Sequence, residues 1–322
     1  MTIIKFSLVF WFLSPISLLA QIEPTQNDAE LLKMLRVKNR TTYYYHSPDT
    51  LNAQGTVVLK KEFDAAGSII SKYVLSPWEP ISYANNTRYS YNEIGQLAEE
   101  TTIQQILNLS QRDEDYINSF GDTPLNTTTQ YFYNEDGHLV RKELYTYATD
   151  KLPAGILPSQ TIEFSYENSQ LYREQSSSLH KRFFDRSYTT IYRYNDRGEV
   201  IEKATQYGSE ANQHRSTTYQ YDSAGLLVEE QTLDKAIPRN NEQLKYTHDH
   251  RGRVVSKLIY DAVAEDFVPT ANFTYDAFGN MTSGERDVDF SYYPNKLIKT
   301  EQWKDEITEQ TLLFVNKYQY WP

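Results

Sequence analysis

One pattern of apolar and polar positions returns along most of the chain: aromatic, any residue, aromatic, Asn or Asp, two residues, Gly, one residue, aliphatic. Copies begin at Tyr89-Ser90-Tyr91-Asn92, Tyr131-Phe132-Tyr133-Asn134, Tyr192-Arg193-Tyr194-Asn195, Tyr219-Gln220-Tyr221-Asp222 and Phe273-Thr274-Tyr275-Asp276. Their glycines are Gly95, Gly137, Gly198, Gly225 and Gly279, and a variant with His248 in the second aromatic slot carries Gly252. A partial early copy runs from Phe63-Asp64 through Gly67 to Ile69. Alternation puts the two aromatics of a copy on one face of a strand and the intervening residue on the other. Asn or Asp then opens a turn, because its side chain accepts from an amide two residues on. The Gly three residues later supplies the left-handed conformation of a bulged hairpin. Gly284 stands outside this turn register and is expected to tolerate Ala. Beyond each turn glycine, apolar residues such as Val254-Val255 start a return strand that soon becomes charged, as at Glu229-Glu230. Two degenerate copies, Phe164 to Leu171 and Phe290 to Leu297, lack the Gly and read as one residue shorter, with two-residue loops at Asn168-Ser169 and Pro294-Asn295.

The glycines at 198, 225, 252 and 279 are each 27 residues apart, and 95 to 137 spans 42. A fixed period with an insertion marks a repeat array, and the long interval places the main insertion near 104–126. The predicted fold is all-β: tandem antiparallel hairpins, about 16 to 18 strands, in a curled, elongated sheet over 57–300. Capping strands are expected in 301–322. Tandem copies of this motif resemble the YD repeat of the RHS-repeat family. That resemblance implies successive antiparallel hairpins and export, with a large shell enclosing a carboxy-terminal toxin in long members. The chain is much shorter than those members and shows neither their self-processing motif nor an effector segment after the array, so the resemblance lends little to toxin delivery.

Residues 1–20 have a single charge, Lys5, before the apolar run Phe6 to Phe12, and read as a secretory signal peptide. Within the following segment, 21–56, Asn27 and Glu30 have capping-box spacing ahead of Leu31, Leu32 and Leu35. This predicts a short helix over about 28–37 that caps the first strands.

Charge and composition narrow the partners. The 322 residues hold 32 basic and 43 acidic side chains, a formal net charge of −11, which disfavours nucleic acid and anionic lipid. Mean hydropathy is −0.66, and no later segment is apolar enough to predict a transmembrane helix. With no Cys there is no disulfide framework, thiolate metal site or cysteine nucleophile. The 27 Tyr dominate the aromatic residues, and the aromatic stripe is expected to be core, with an exposed platform as the alternative.

Local candidates for chemistry read as structural. His248-Asp249-His250 could offer two metal ligands, but both histidines occupy repeat positions. Asp113 to Asp115 starts like a calcium loop and lacks its later ligands. Glu99-Glu100 and Glu229-Glu230 suggest paired acids but recur in the register of a return strand expected to face water. No catalytic, cofactor or metal site is expected. Expected function is that of an exported, non-enzymatic structural or binding protein at the bacterial cell surface or outside, its compartment being periplasm, cell surface or medium. The alternatives are a glycan binder or hydrolase using Tyr192, Tyr194, Tyr219 and Tyr221, and a component of a toxin or secretion system. A glycan or another surface protein is the candidate partner.

Overall fold

The computed structural model describes residues 26–45, 55–76, 82–108, 126–149, 151–179, 187–208, 214–284, 288–304 and 311–322. The expected signal peptide and most of the expected insertion lie outside them. One helix, α1 (Gln26–Met34), precedes β1 (Val37–Tyr45). Nine hairpins follow: β2 (Thr56–Phe63) with β3 (Ile69–Ser76), β4 (Ser82–Tyr91) with β5 (Leu97–Asn108), β6 (Asn126–Tyr133) with β7 (Leu139–Tyr147), β8 (Gln160–Glu167) with β9 (Gln170–Ser178), β10 (Tyr188–Tyr194) with β11 (Val200–Tyr207), β12 (His214–Tyr221) with β13 (Leu227–Asp234), β14 (Glu242–His248) with β15 (Val254–Asp261), β16 (Asp266–Asn272) and β17 (Thr274–Tyr275) with β18 (Met281–Ser283), and β19 (Val288–Tyr292) with β20 (Ile298–Lys304). The last strand is β21 (Thr311–Tyr320).

Each hairpin also pairs with the next, and β21 pairs with both β20 and β1, so the array bends round into one barrel-like antiparallel sheet. The predicted array is therefore present, with 21 described strands rather than 16 to 18. Counting β16 and β17 as one bent stave leaves twenty, for a perimeter of about 96 Å at ~4.8 Å per strand. Pairing is thinnest at β18, which meets β19 only at Ser283↔Asp289.

The turns follow from local chemistry. Asp222 Oδ1 accepts from the amides of Ala224 and Leu226, while Gly225 sits at φ 85°. Gly67, Gly95, Gly137, Gly198, Gly252 and Gly279 are likewise left-handed. Asn168 and Ser169, both at positive φ, make the expected two-residue loop. The other degenerate copy needs correction: Tyr293 N–H donates to Leu297 O and Lys296 N–H to Tyr293 O, as in the full-length turns. Lys296, at φ 69°, occupies the glycine position, and the aliphatic slot is Ile298.

Helix α1 begins at Gln26 and ends at Met34, so Asn27 lies within its first turn rather than before it. Its Leu32 buries against Val37, Phe63 and Leu297, with Leu31 and Leu35 beside them. Phe63 and Leu297 lie at the turns of the first and last hairpins, and the helix packs on that end of the sheet where the two meet. A second apolar cluster, Tyr44, Val58, Val288, Trp303, Leu312 and Phe314, lies further along the same face where the first and last strands meet. Gly284 is more constrained than its place outside the turns suggests, since a Cβ there would meet Met281 Sδ at 3.0 Å.

Candidate functional site

Strand alternation and the pairing register collect the motif aromatics on the one face of the sheet that carries both apolar clusters. From the turn rim inward, each repeat stacks its second aromatic, its first aromatic and a small or aliphatic residue, as in Tyr221, Tyr219 and Thr217. In several repeats the deepest layer is a buried Thr pair: Thr190 with Thr205 at 2.9 Å and Thr217 with Thr232 at 3.0 Å.

The outermost layer joins hairpin to hairpin. The ladder between β11 and β12 stops at Glu202↔Thr218, leaving the Val200 carbonyl unpaired by backbone, and the Tyr221 hydroxyl donates to it at 2.9 Å. Tyr194 does the same to Leu171 O at 2.7 Å. Tyr91, Tyr133, Tyr166, Tyr275, Tyr292 and Tyr318 repeat the bond to the carbonyls of Ile69, Leu97, Leu139, Val254, Met281 and Ile298, over 2.7 to 3.0 Å. The variant repeat lacks a phenol at this slot, and His248 makes no such bond among the described residues. Each acceptor is the aliphatic residue that starts the preceding return strand.

The middle layer is a belt of aromatics and charges. Opposite the first aromatics, the paired residues are Glu100 across from Tyr89, Lys142 from Tyr131, Glu174 from Phe164, Lys203 from Tyr192, Glu230 from Tyr219 and Lys257 from Tyr246. The sign alternates from one hairpin to the next. Tyr131 donates to Glu100 at 3.2 Å, Tyr192 to Glu174 at 3.1 Å and Tyr246 to Glu230 at 3.3 Å, and Tyr188 also bonds Glu174. Lys142 Nζ stands 5.4 Å from the Tyr131 ring centroid and 5.5 Å from that of Phe164, so the lysine hairpins add cation–π contacts. Burial, then the adjacent carboxylates, pushes the Tyr131 and Tyr192 phenols well above the usual tyrosine range.

This belt corrects the reading of the paired acids. Glu100 and Glu230 share the aromatic face and accept tyrosine hydroxyls; Glu99 and Glu229 point to the other face, where Gln130 and Gln243 donate to them at 3.2 and 2.6 Å. The signal was present in the sequence: the third residue beyond each aliphatic slot runs Lys72, Glu100, Lys142, Glu174, Lys203, Glu230, Lys257, Gly284, Glu301.

The four tyrosines considered as a ligand platform, Tyr192, Tyr194, Tyr219 and Tyr221, share this face and are half-buried. Three of their hydroxyls are already bonded within the protein. Asp249 accepts from the amides of Arg251 and Arg253 and from the Arg253 guanidinium, which holds its carboxyl far below the usual range. Among the described residues no three His, Asp or Glu side chains gather as a metal site. A cavity of about 1130 Å³ lies mainly against the face opposite the motif aromatics, across β2 to β7, with Tyr73, Arg88, Glu99 and the buried Thr128 and Tyr147 in its wall and none of the four tyrosines.

The face opposite the motif aromatics mixes charged residues such as Arg88, Glu99 and Glu202 with apolar ones such as Tyr73, Ile103 and Phe132. Among the described residues, no helix is long and apolar enough to cross a membrane.

No protein-family model matches the chain, and no match was found among curated proteins. Solved structures with some likeness include a complex of TcdB2 and TccC3 with Cdc42, at 12% identity and TM-score 0.32, over 80% of this chain and 14% of that one. The Tc holotoxin pore of Photorhabdus luminescens matches at 12% identity and TM-score 0.35, over 80% of this chain and 18% of the other. A porin-like protein from Bacteroides uniformis matches at 9% identity and TM-score 0.39, over 88% of this chain and 98% of the other. The chain spans less than a fifth of the length of the two toxin-complex chains.

Proposed function

We propose that this chain is an exported, non-enzymatic structural or binding protein that acts at the bacterial cell surface or outside the cell, with its aromatic face serving as the frame of the hairpin ring. The observation that carries this reading is the use of that face's polar atoms. Second-slot phenols bond backbone carbonyls, and the first-slot phenols of Tyr131, Tyr192 and Tyr246 bond belt glutamates. A glycan platform needs aromatic faces and hydroxyls free to meet sugar. A hydrolase needs two acids converging on one bond, whereas each belt glutamate stands between the aromatics of neighbouring hairpins. Export is supported by the amino-terminal sequence pattern and by the resemblance to secreted YD-repeat proteins.

Fractionation of the producing bacterium, with protease shaving of intact cells, tests the location. The expected result is protein in the periplasm, on the cell surface or in the medium, released from membranes by carbonate or urea. Tyr219→Ala tests the role of the face: melting temperature is expected to fall with no loss of signal on a glycan array. Cytosolic protein, extraction only by detergent, or a stable Tyr219→Ala protein that loses a glycan signal overturns the reading.

A further inference from the structure

Across β10 to β13 the face opposite the motif aromatics is open, with Arg193, Thr218, Gln220 and Gln231 exposed on it. Across β4 to β7 part of that face is buried, and Ala84, Thr128 and Tyr147 are between 1% and 5% exposed. Thr128 bonds Thr101 at 3.0 Å and Tyr147 at 2.8 Å. Asn126 Nδ2 donates to Thr149 O at 2.8 Å, which ties the start of the β7–β8 connection to the sheet. The cavity of about 1130 Å³ lies here, with Lys151 and Leu152 of that connection in its wall. It reaches from Lys60 on β2 to Tyr147 on β7, which is about 24 Å at ~4.8 Å per strand.

We propose that this cavity binds an extended, acidic segment of a partner protein. The polar groups of its wall fall into two sets. Glu62 accepts from Lys60 at 2.6 Å and Ser71 at 2.9 Å, and Glu99 accepts from Gln130 at 3.2 Å and Thr101 at 3.4 Å. Arg88, Lys151, Asn86, Gln105 and the Tyr73 hydroxyl, by contrast, have no side-chain partner among the described residues. The uncommitted guanidinium and ammonium groups match carboxylates. The amides of Asn86 and Gln105 match peptide groups, which offer a donor and an acceptor each. Ile103, Leu152 and the Tyr73 ring, all half-buried, receive an aliphatic side chain. An acidic peptide supplies all three kinds of group, and about seven extended residues at ~3.4 Å each cover the span. A polyphosphate would meet Glu62 and Glu99, and a glycan has no aliphatic side chain for Ile103 and Leu152. In a chain of net charge −11, two unpaired cations also mark the place where an acidic partner is least repelled. Such a site rests on the binding role proposed above and gives it a ligand class, on the face away from Tyr192, Tyr194, Tyr219 and Tyr221.

Panning a displayed library of random heptapeptides on the mature chain tests the site, with fluorescence anisotropy of the selected peptides as the quantitative readout. The expected selection is rich in Asp and Glu beside Leu, Ile or Val. Arg88→Glu and Lys151→Glu should each weaken the selected peptides about tenfold or more with an unchanged melting curve, since both side chains are exposed. Arg193→Glu, on the same face away from the cavity, should bind as wild type does. An arm that needs no variant exchanges the acids of the selected peptides for Gln and Asn, and the wild-type protein should lose about tenfold or more in affinity. A selection without acidic sequences, peptides held equally by wild type and both cavity variants, or a galacturonate oligomer bound in place of peptide overturns the assignment. Cell fractionation and Tyr219→Ala are read separately, so failure here removes this site and leaves the exported, structural reading standing.

Discussion

Replacing Tyr221 by Phe removes one oxygen and leaves the ring. In the native protein that oxygen donates at 2.9 Å to the Val200 carbonyl, which lies beyond the last backbone pair between β11 and β12. An intramolecular hydrogen bond contributes a net ~0.5–1.5 kcal/mol, and an acceptor left unmade in a half-buried position raises the loss toward 2 kcal/mol. Water can reach this rim, so about 1 kcal/mol is expected for the single change. The series supplies its own control at the one slot without a phenol. His248→Tyr should place a hydroxyl against the Leu227 carbonyl, where the β13–β14 ladder stops at Glu229↔Lys245, and stabilise the protein by about 0.5–1 kcal/mol. Urea unfolding followed by far-ultraviolet circular dichroism gives both values, provided the slope m is unchanged. Loss at Tyr221→Phe together with gain at His248→Tyr is the expected pair. If both midpoints coincide with wild type, the hydroxyls do not staple the hairpins and the rim is held by ring packing alone.

Three further outcomes are expected. Gly225→Val should cost ~1–3 kcal/mol in the same melts, because it forces a β-branched residue to φ 85°, whereas Lys296→Gly should gain about 1 kcal/mol by relieving a left-handed lysine at φ 69°. Glu230→Lys should destabilise by ~1–3 kcal/mol, since it removes the acceptor of Tyr246 and sets three cations in a row with Lys203 and Lys257; Glu229→Lys, on the face opposite the aromatics, should change stability by less than about 1 kcal/mol. Alkaline titration should unfold the protein steeply above about pH 10, and Tyr318→Phe should blunt that transition. Burial raises the Tyr318 phenol to about 12, so stability is complete below the unfolded value near 10 and is lost as pH rises through 10 to 12.

The hairpins were legible in the sequence because the chemistry of each turn is local. An Asn or Asp that accepts two amides and a Gly at positive φ act within five residues, as Asp222 and Gly225 do. The turn at Tyr293 was misread for the same reason: Lys296 adopts the left-handed conformation without being glycine, and the copy looks shortened when Leu297 is taken for the aliphatic slot. Helix limits moved because α1 is placed by Leu32 packing on Phe63 and Leu297, contacts that no capping pattern encodes. The facing of Glu100 and Glu230 was open to sequence reasoning by simple alternation from the aromatic slots. It was missed because adjacent acids suggest solvent, whereas the acceptors for buried phenols must come from somewhere.

Closure of the ring is the feature furthest from local reasoning, since it joins residues more than 260 positions apart. Glu301, the acid of the last belt position and 1% exposed, receives Arg40 from the first strand at 2.8 Å, and Asn316 ties to both while accepting from Thr42 at 2.6 Å. An ion pair so buried adds little net stabilisation, because desolvation of both charges offsets their attraction. Stabilisation at the junction comes instead from its apolar neighbours, with Leu32, Val37, Phe63 and Leu297 on one side and Tyr44, Val58, Trp303 and Phe314 on the other. What the polar cluster supplies is register. A one-residue slip of β1 against β21 would turn Arg40 outward and strand Glu301 among apolar side chains, an error costing several kcal/mol, whereas a slip among apolar positions alone could repack. Acid and base thus meet at the junction between the ends of the chain, and the charge supplied by β1 selects the register in which the last strand meets the first.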